Sequence, residues 1–302
     1  MRPPLKTFNH FCQTTFGTRM VKVTLDAGAP CPHRDCGSGG CIFCNPLAFT
    51  PFRADILPLA SQLAAGVKRM GERYDTRTFA AYFQDNTTTA LPVDLLRDAL
   101  AEVSSHPDIR MIFLGTRPDF LPDEMLDLLQ EYNELLPVWV ELGVQSIHDQ
   151  TLKTINRGHD FSCTAGAIQQ LQLRNIPVVA HMILGLPGET TAMMKQSLQF
   201  LQQREIDGVK LHHLQVHRDT ELAISFTAGD VAVLSFENYL DLLCELIPWL
   251  PPQAVIFRLF AEAHPDLLLA PHWHLSKAHI FDQIYQRLHR DGVHQGDQYC
   301  IS

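Results

Sequence analysis

Between about residue 20 and residue 216 the chain alternates six short apolar runs with five longer amphipathic ones. That alternation restricts the fold more than any other feature of its 302 residues. The apolar runs are 21–25, 79–84, 111–115, 138–144, 178–185 and 208–216, and the helical patterns are 56–73, 93–104, 122–135, 161–174 and 189–204. Strands that alternate with helices imply a parallel sheet with right-handed crossovers. Strands that are apolar almost throughout imply a sheet covered on both faces. A complete eight-fold barrel takes about 250 residues. Six units therefore point to an α/β fold, a partial (β/α)6 TIM-like barrel. Residues 1–218 are expected to form the barrel with an N-terminal lead-in. Residues 219–302 are expected to form a C-terminal extension packed on it, with a polar start, helices near 236–248 and 276–290, and a strand-like run at 255–260.

Apolar residues make up 46% of the chain and charged residues 19%, enough for a large buried core. The net charge of −9 is a poor footprint for a general nucleic-acid binder, which needs a basic field to displace counterions. It leaves room for a local basic strip, and Arg53, Lys68, Arg69, Arg73 and Arg77 form one around the first barrel helix. No run of about 18 apolar residues exists to span a membrane. Arg2 and Lys6 have no apolar block behind them, so the start does not read as a secretory signal. A cytoplasmic protein with reduced thiols is the expectation.

Four of the eight cysteines, Cys31, Cys36, Cys41 and Cys44, fall within fourteen residues, just after the first strand. In a reducing compartment such a cluster reads as metal binding, while Cys12, Cys163, Cys244 and Cys300 read as inert thiols. Loops after strand C-termini carry function in parallel barrels. Gly37, Gly39 and Gly40 let this loop wrap tightly. Spacing alone leaves structural zinc and an iron–sulfur cluster both open. Only one Cys-x-x-Cys pair is present, and together with the aromatic Phe43 inside it this favours iron–sulfur.

Cys41-Ile42-Phe43-Cys44 resembles the end of the radical S-adenosylmethionine (SAM) signature. The long spacer in Cys31-x9-Cys41-x2-Cys44 is similar to the YhcC/YtqA-type branch of that superfamily, whose motif begins Cys-Pro-Asn-Arg-Asp-Gly. Here the start is Cys31-Pro32-His33-Arg34-Asp35-Cys36, so Cys36 stands where the family has glycine and is read as a bystander. Further matching blocks follow in order at successive strand ends: Tyr82-Phe83-Gln84, Gly115-Thr116-Arg117-Pro118-Asp119, Glu141–Ser146, Asn156-Arg157-Gly158-His159, Gly185–Glu189 and Lys210–His213. Thr116-Arg117-Pro118-Asp119 also resembles the Elongator catalytic subunit.

The resemblance implies one [4Fe–4S] cluster on Cys31, Cys41 and Cys44, with SAM chelated to the iron that lacks a protein ligand. It implies reductive cleavage of SAM to a 5′-deoxyadenosyl radical, fed by an electron donor such as flavodoxin or ferredoxin. By position, Gln145 and Arg157 resemble SAM-holding residues of coproporphyrinogen-oxidase-like relatives. His181 stands where those relatives have Asp, and Gln84-Asp85-Asn86 where they have Gly-Gly-Glu, so backbone carbonyls or Gln84 are the candidates for the SAM amino group and His181 for a ribose hydroxyl. Phe43 completes the expected cofactor set. Gly185–Glu189 resembles a loop that approaches the adenine. Glu141, Arg117 and Asp119 are expected at the barrel mouth, and His212, His213, His217 and Arg218 at the end of the sixth strand, facing substrate. The Elongator-like branch implies tRNA as substrate, at a wobble-uridine side chain. A small metabolite and, outside enzymes altogether, a zinc-binding module are the competing readings. No Ser–His–Asp pattern or phosphate-binding Gly-x-x-x-x-Gly-Lys loop supports hydrolase or triphosphatase chemistry.

Overall fold

The computed structural model describes residues 3–48, 57–84 and 86–299. Helix α1 (Phe8–Phe16) precedes β1 (Val21–Leu25). The repeating part follows as α2 (Leu59–Tyr74), β2 (Phe79–Phe83), α3 (Val93–Ser104), β3 (Ile109–Thr116), α4 (Asp123–Leu135), β4 (Val138–Gln145), the short α5 (Asp149–Thr154), α6 (Phe161–Leu173), β5 (Val178–Leu184), α7 (Thr191–Gln203) and β6 (Gly208–His213). Then come β7 (Val216–His217), α8 (Glu221–Ala228), α9 (Phe236–Leu246), β8 (Val255–Arg258), β9 (Leu268–Ala270) and α10 (Lys277–Arg290).

Seven strands form one sheet in the order β1-β2-β3-β4-β5-β6-β8, and every neighbouring pair is parallel. The sheet curls into a partial α/β barrel, as the alternation implied. It has one strand more than the six barrel units, because the strand-like run near residue 255 joins the sheet beside β6. The expected sixth strand, 208–216, breaks after His213, and Val216 and His217 pair antiparallel with β9 instead.

All residues of β2 and β4 are buried, since the helices cover one face and the barrel interior the other. Inside the barrel, alternation along each strand stacks the inward side chains in layers. The lowest layer is apolar: Ala80, Met111, Trp139, Val179 and Val255 pack with Phe113 and Phe257. Helix α1 closes this end. Its Phe8 ring lies 5.7 Å from Phe113 and 5.0 Å from Phe257, and Phe11 lies 5.4 Å from Trp139. The next layer is charged and the uppermost polar, so the interior grows more polar towards the strands' C-terminal ends.

Candidate active site

The loop that leaves β1 carries the four clustered cysteines. Gly37, Gly39 and Gly40 adopt φ of 85°, 78° and 79°, left-handed values that let it double back within a few residues. It is pinned from several sides. The Asn156 amide donates to the carbonyls of Ser38 (2.9 Å) and Gly40 (2.7 Å), and His33 Nε2 lies 2.6 Å from the Asn156 carbonyl. The backbone N–H of Ile42 donates to Ile155, and the N–H of Leu222 in α8 donates to the Ile42 carbonyl, at 3.1 and 3.0 Å.

This loop roofs a cavity of about 450 Å³ in the mouth of the barrel. Cys31, Cys41 and Cys44 line it together with Phe43, Gln84, Gln145, Arg157 and His181, which brings all eight of the expected cofactor residues to one space. Cys36 does not line it; it is exposed, with its sulfur 3.4 Å from the His33 carbonyl. Two guanidiniums reach the lining sulfurs: Arg34 Nη2 is 3.4 Å from Cys44 Sγ, and Arg157 Nη1 is 3.6 Å from Cys41 Sγ. Burial pushes the Cys44 thiol pKa up, and the Arg34 charge opposes that. Arg157 also donates to the Gly143 carbonyl at 2.6 Å, and its own carbonyl accepts from Arg117 at 2.8 Å. Arg117 in turn holds Asp119 through two bonds of 2.9 Å.

Three buried polar atoms here, Gln145 Oε1, Arg157 Nε and His181 Nε2, have no hydrogen-bond partner among the described residues. Native interiors rarely strand such atoms, so their gathering marks a ligand cradle. Gln145 has φ of 66° at the end of β4, a left-handed value that costs a non-glycine residue energy and fixes where its amide sits.

Below this cradle lies the charged layer. Glu141 is buried and paired with Lys22 at 2.8 Å and with Lys210, whose ammonium also donates to the Tyr82 hydroxyl at 2.8 Å. Burial alone pushes the Glu141 pKa up, but Lys210 and Lys22 together overcome that and hold it below the carboxylate range. Burial pushes Lys210 down to about 7, against the pull of Glu141. It pushes His181 down to about 3, with Lys210 and Arg258 adding to the effect, and lowers His212 in the same way. The two rings sit 4.1 Å apart, both neutral at pH 7.

Several expectations are corrected by these positions. Glu141 lines the mouth cavity as expected, but from its deeper part, where it points inward between two lysines. Asp119 is not among the cavity-lining residues. His212, His213 and His217 do line the cavity, with the His213 ring also packed 4.0 Å from that of Trp273, whereas Arg218 does not line it. Gly185–Glu189 lines a separate cleft against residues 230–245. Of the basic strip, Arg53 lies outside the described residues. Lys68, Arg69, Arg73 and Arg77 are exposed, at or beyond the last turns of α2. Those turns face the strands' N-terminal ends, since Tyr74 stacks against Arg19 just before β1. The strip is therefore at the far end of the barrel from the cavity. Sequence reasoning gave no role to Lys22, to Arg258 or to the Asn156 brace; Lys210 stood only inside a matched block. A lysine amid an otherwise apolar strand was the available signal.

A partial parallel barrel with a cysteine loop over a polar cradle at its C-terminal mouth defines a radical SAM protein, and the chain belongs to that superfamily. The Radical SAM superfamily model matches residues 31–201, and the Radical_SAM C-terminal domain model matches residues 206–290. Within it the chain falls in the YhcC/YtqA-type, Elongator-like branch. It is 33% identical to YtqA of Bacillus subtilis over 293 residues, 96% of this chain and 91% of that protein. It is 39% identical to YhcC of Escherichia coli K12 over 263 residues, 85% of this chain and 84% of that one. A tRNA uridine(34) acetyltransferase of Methanocaldococcus infernus is 24% identical over 186 residues, 60% of this chain but 33% of that protein. The solved Elp3 of Methanocaldococcus infernus superposes with a TM-score of 0.69 at 18% identity, covering 91% of this chain and 64% of that one, and shows the shared fold. No helix among the described residues is long and apolar enough to cross a membrane.

Proposed function

We propose that this superfamily enzyme holds one [4Fe–4S] cluster on Cys31, Cys41 and Cys44 and binds SAM beside it, in order to modify the side chain of a wobble uridine in tRNA. The observation that carries the cofactor reading is the single cavity shared by three cysteines and by the stranded polar atoms of Gln145, Arg157 and His181. The donor set fits. Among the described residues no three of His, Cys, Asp or Glu converge tightly enough for one metal ion, as a structural zinc requires. A four-iron cluster takes each cysteine on a different iron and needs no such convergence. When bound, the cluster and SAM supply a 5′-deoxyadenosyl radical by one-electron cleavage of the sulfur–C5′ bond. The residues of the chain do the rest. Arg34 and Arg157 place positive charge beside the thiolates, and Arg157 offers its unpartnered Nε to a carboxylate. Gln145 and Gln84 orient polar groups of the ligand, and His181, neutral, takes a hydroxyl. The cysteine loop and α8 exclude water from above. Flavodoxin or ferredoxin is the expected electron donor.

The tRNA part rests on the kinship with the Elongator-like branch. Its test is anaerobic incubation of cluster-loaded protein with SAM, reductant and unmodified or partly modified tRNA, followed by mass analysis of the nucleosides. A mass change confined to one uridine supports it. A second reading, a small-metabolite substrate, is favoured by the position of Lys68, Arg69 and Arg73 away from the mouth. If those residues grip phosphates, their replacement by Ala flattens the salt dependence of tRNA binding by up to about three units. No tRNA binding by the parent at low salt leaves the metabolite ahead.

A further inference from the structure

The charged layer holds more positive than negative charge. Glu141 is the carboxylate paired in this layer among the described residues, to Lys22 and Lys210, and Arg258 lines the same cavity. Lys22 is accounted for: it pairs with Glu141 and lies 3.5 Å from the Phe113 ring centroid and 4.6 Å from that of Phe257. Lys210 is not fully used. Its ammonium has three N–H donors, and Glu141 and Tyr82 take two. Arg258 is the most underused. Its guanidinium donates to the neutral His212 at 3.4 Å, and no carboxylate among the described residues forms an ion pair with it.

Arg258 reaches this layer through an irregularity. The β6–β8 register runs Gly208↔Val255, Val209↔Ile256, then Lys210↔Arg258, so Phe257 is an extra residue. Regular alternation would turn either Phe257 or Arg258 outward. The bulge lets Phe257 pack on the aromatic floor while the next residue, Arg258, still lines the cavity beside Lys210. A bulge that carries a half-buried arginine inward, with no acid among the described residues paired to it, lowers stability unless a ligand supplies the counter-charge.

We propose that Arg258 and the remaining donor of Lys210 form a subsite for a carboxylate carried by the substrate, in the same cavity as the residues assigned to SAM. The inference rests on the cavity being a SAM-dependent active site. A guanidinium edge beside an ammonium hydrogen offers donors to both oxygens of a planar carboxylate. One carboxylate reduces the formal surplus of two positive charges to one, and Lys22 is already stabilised by its rings.

The test uses cluster-loaded protein, unreduced so that SAM stays intact, with acetate and acetamide as a shape-matched charged and neutral pair. Unfolding midpoints are followed against probe concentration, with chloride at matched ionic strength and with inorganic phosphate as separate arms. The expected result is saturable stabilisation by acetate in the presence of saturating SAM and none by acetamide or chloride. In Arg258→Gln the acetate affinity drops about tenfold or more, and Arg258→Lys recovers part of it. Acetate acting no differently from acetamide on the SAM-bound parent overturns the subsite. So does phosphate binding in preference to acetate, which makes it a phosphate site. Acetate binding that disappears once SAM is saturating also overturns it, because the pocket then serves the carboxylate of SAM. Failure of the parent to bind SAM at all is a different result, and it overturns the active-site reading itself.

Discussion

Three of the four clustered cysteines face the cavity, and the fourth, Cys36, faces solvent. Cys31→Ala, Cys41→Ala and Cys44→Ala are each expected to abolish cluster uptake, read as iron content and visible absorbance, while Cys36→Ala retains it. Retention by Cys31→Ala together with loss in Cys36→Ala would reverse the assignment. Arg157→Ala is expected to weaken SAM binding by about tenfold or more, since a charged hydrogen bond contributes about 1.5–3 kcal/mol, and Gln145→Ala by less, at about 1 kcal/mol. Titration calorimetry on reconstituted protein separates them. Gly143→Ala tests the same guanidinium from behind. A Cβ there would sit 2.7 Å from Arg157 Nη2, so the variant should mimic Arg157→Ala without touching its charge. The cysteines, Gln145 and Arg157 were legible in the sequence because each lies in a short block at a strand end. The depth of Glu141 was not, since only the strand pairing reveals which layer an inward residue occupies.

Two elements that the sequence hid turn out to close the site. Helix α1 has few strong helix formers, and its signal is local: Thr7 accepts from His10 N–H at the start, and Gly17 ends the helix at φ 69°. Phe8, Phe11 and Cys12 between them give the apolar spacing of one helical face. Helix α8 sits in what looked like a polar connection, yet its Leu222 bonds the cysteine loop. Strand β8 was visible as an apolar run, but its bulge was not, because an extra residue has no signature in composition. The loop itself is braced by Asn156, whose amide makes two of its hydrogen bonds. Asn156→Ala should leave the barrel folded and loosen the loop by roughly 1 kcal/mol per lost bond. The expected readout is faster iron loss to a chelator with an unchanged far-ultraviolet spectrum; an unchanged rate would remove Asn156 from that role.

Across the whole molecule, the interior passes from an apolar floor through a charged layer to the cysteine-roofed cradle, and this gradient has a cost in acid. Burial pushes His181 and His213 down to about 3 and His217 to about 4, from the ordinary 6.5. Between those values the unfolded chain takes up protons that the folded chain refuses. Stability is therefore fully present above about 6.5 and falls as the pH drops below it, by up to roughly 1.4 kcal/mol per pH unit for each histidine. Urea midpoints between pH 7.5 and 5.5 should fall accordingly, and His213→Gln should reduce the slope; a flat profile would mean that these rings are solvated. The cavity's purpose is tested most directly by anaerobic reconstitution with iron and sulfide, followed by reduction in the presence of SAM and assay of metal, sulfide and 5′-deoxyadenosine on one sample. Iron and sulfide near four each per chain, with 5′-deoxyadenosine formed and lost again in Cys41→Ala, are the expected results. One tightly held zinc per chain and no 5′-deoxyadenosine would contradict them.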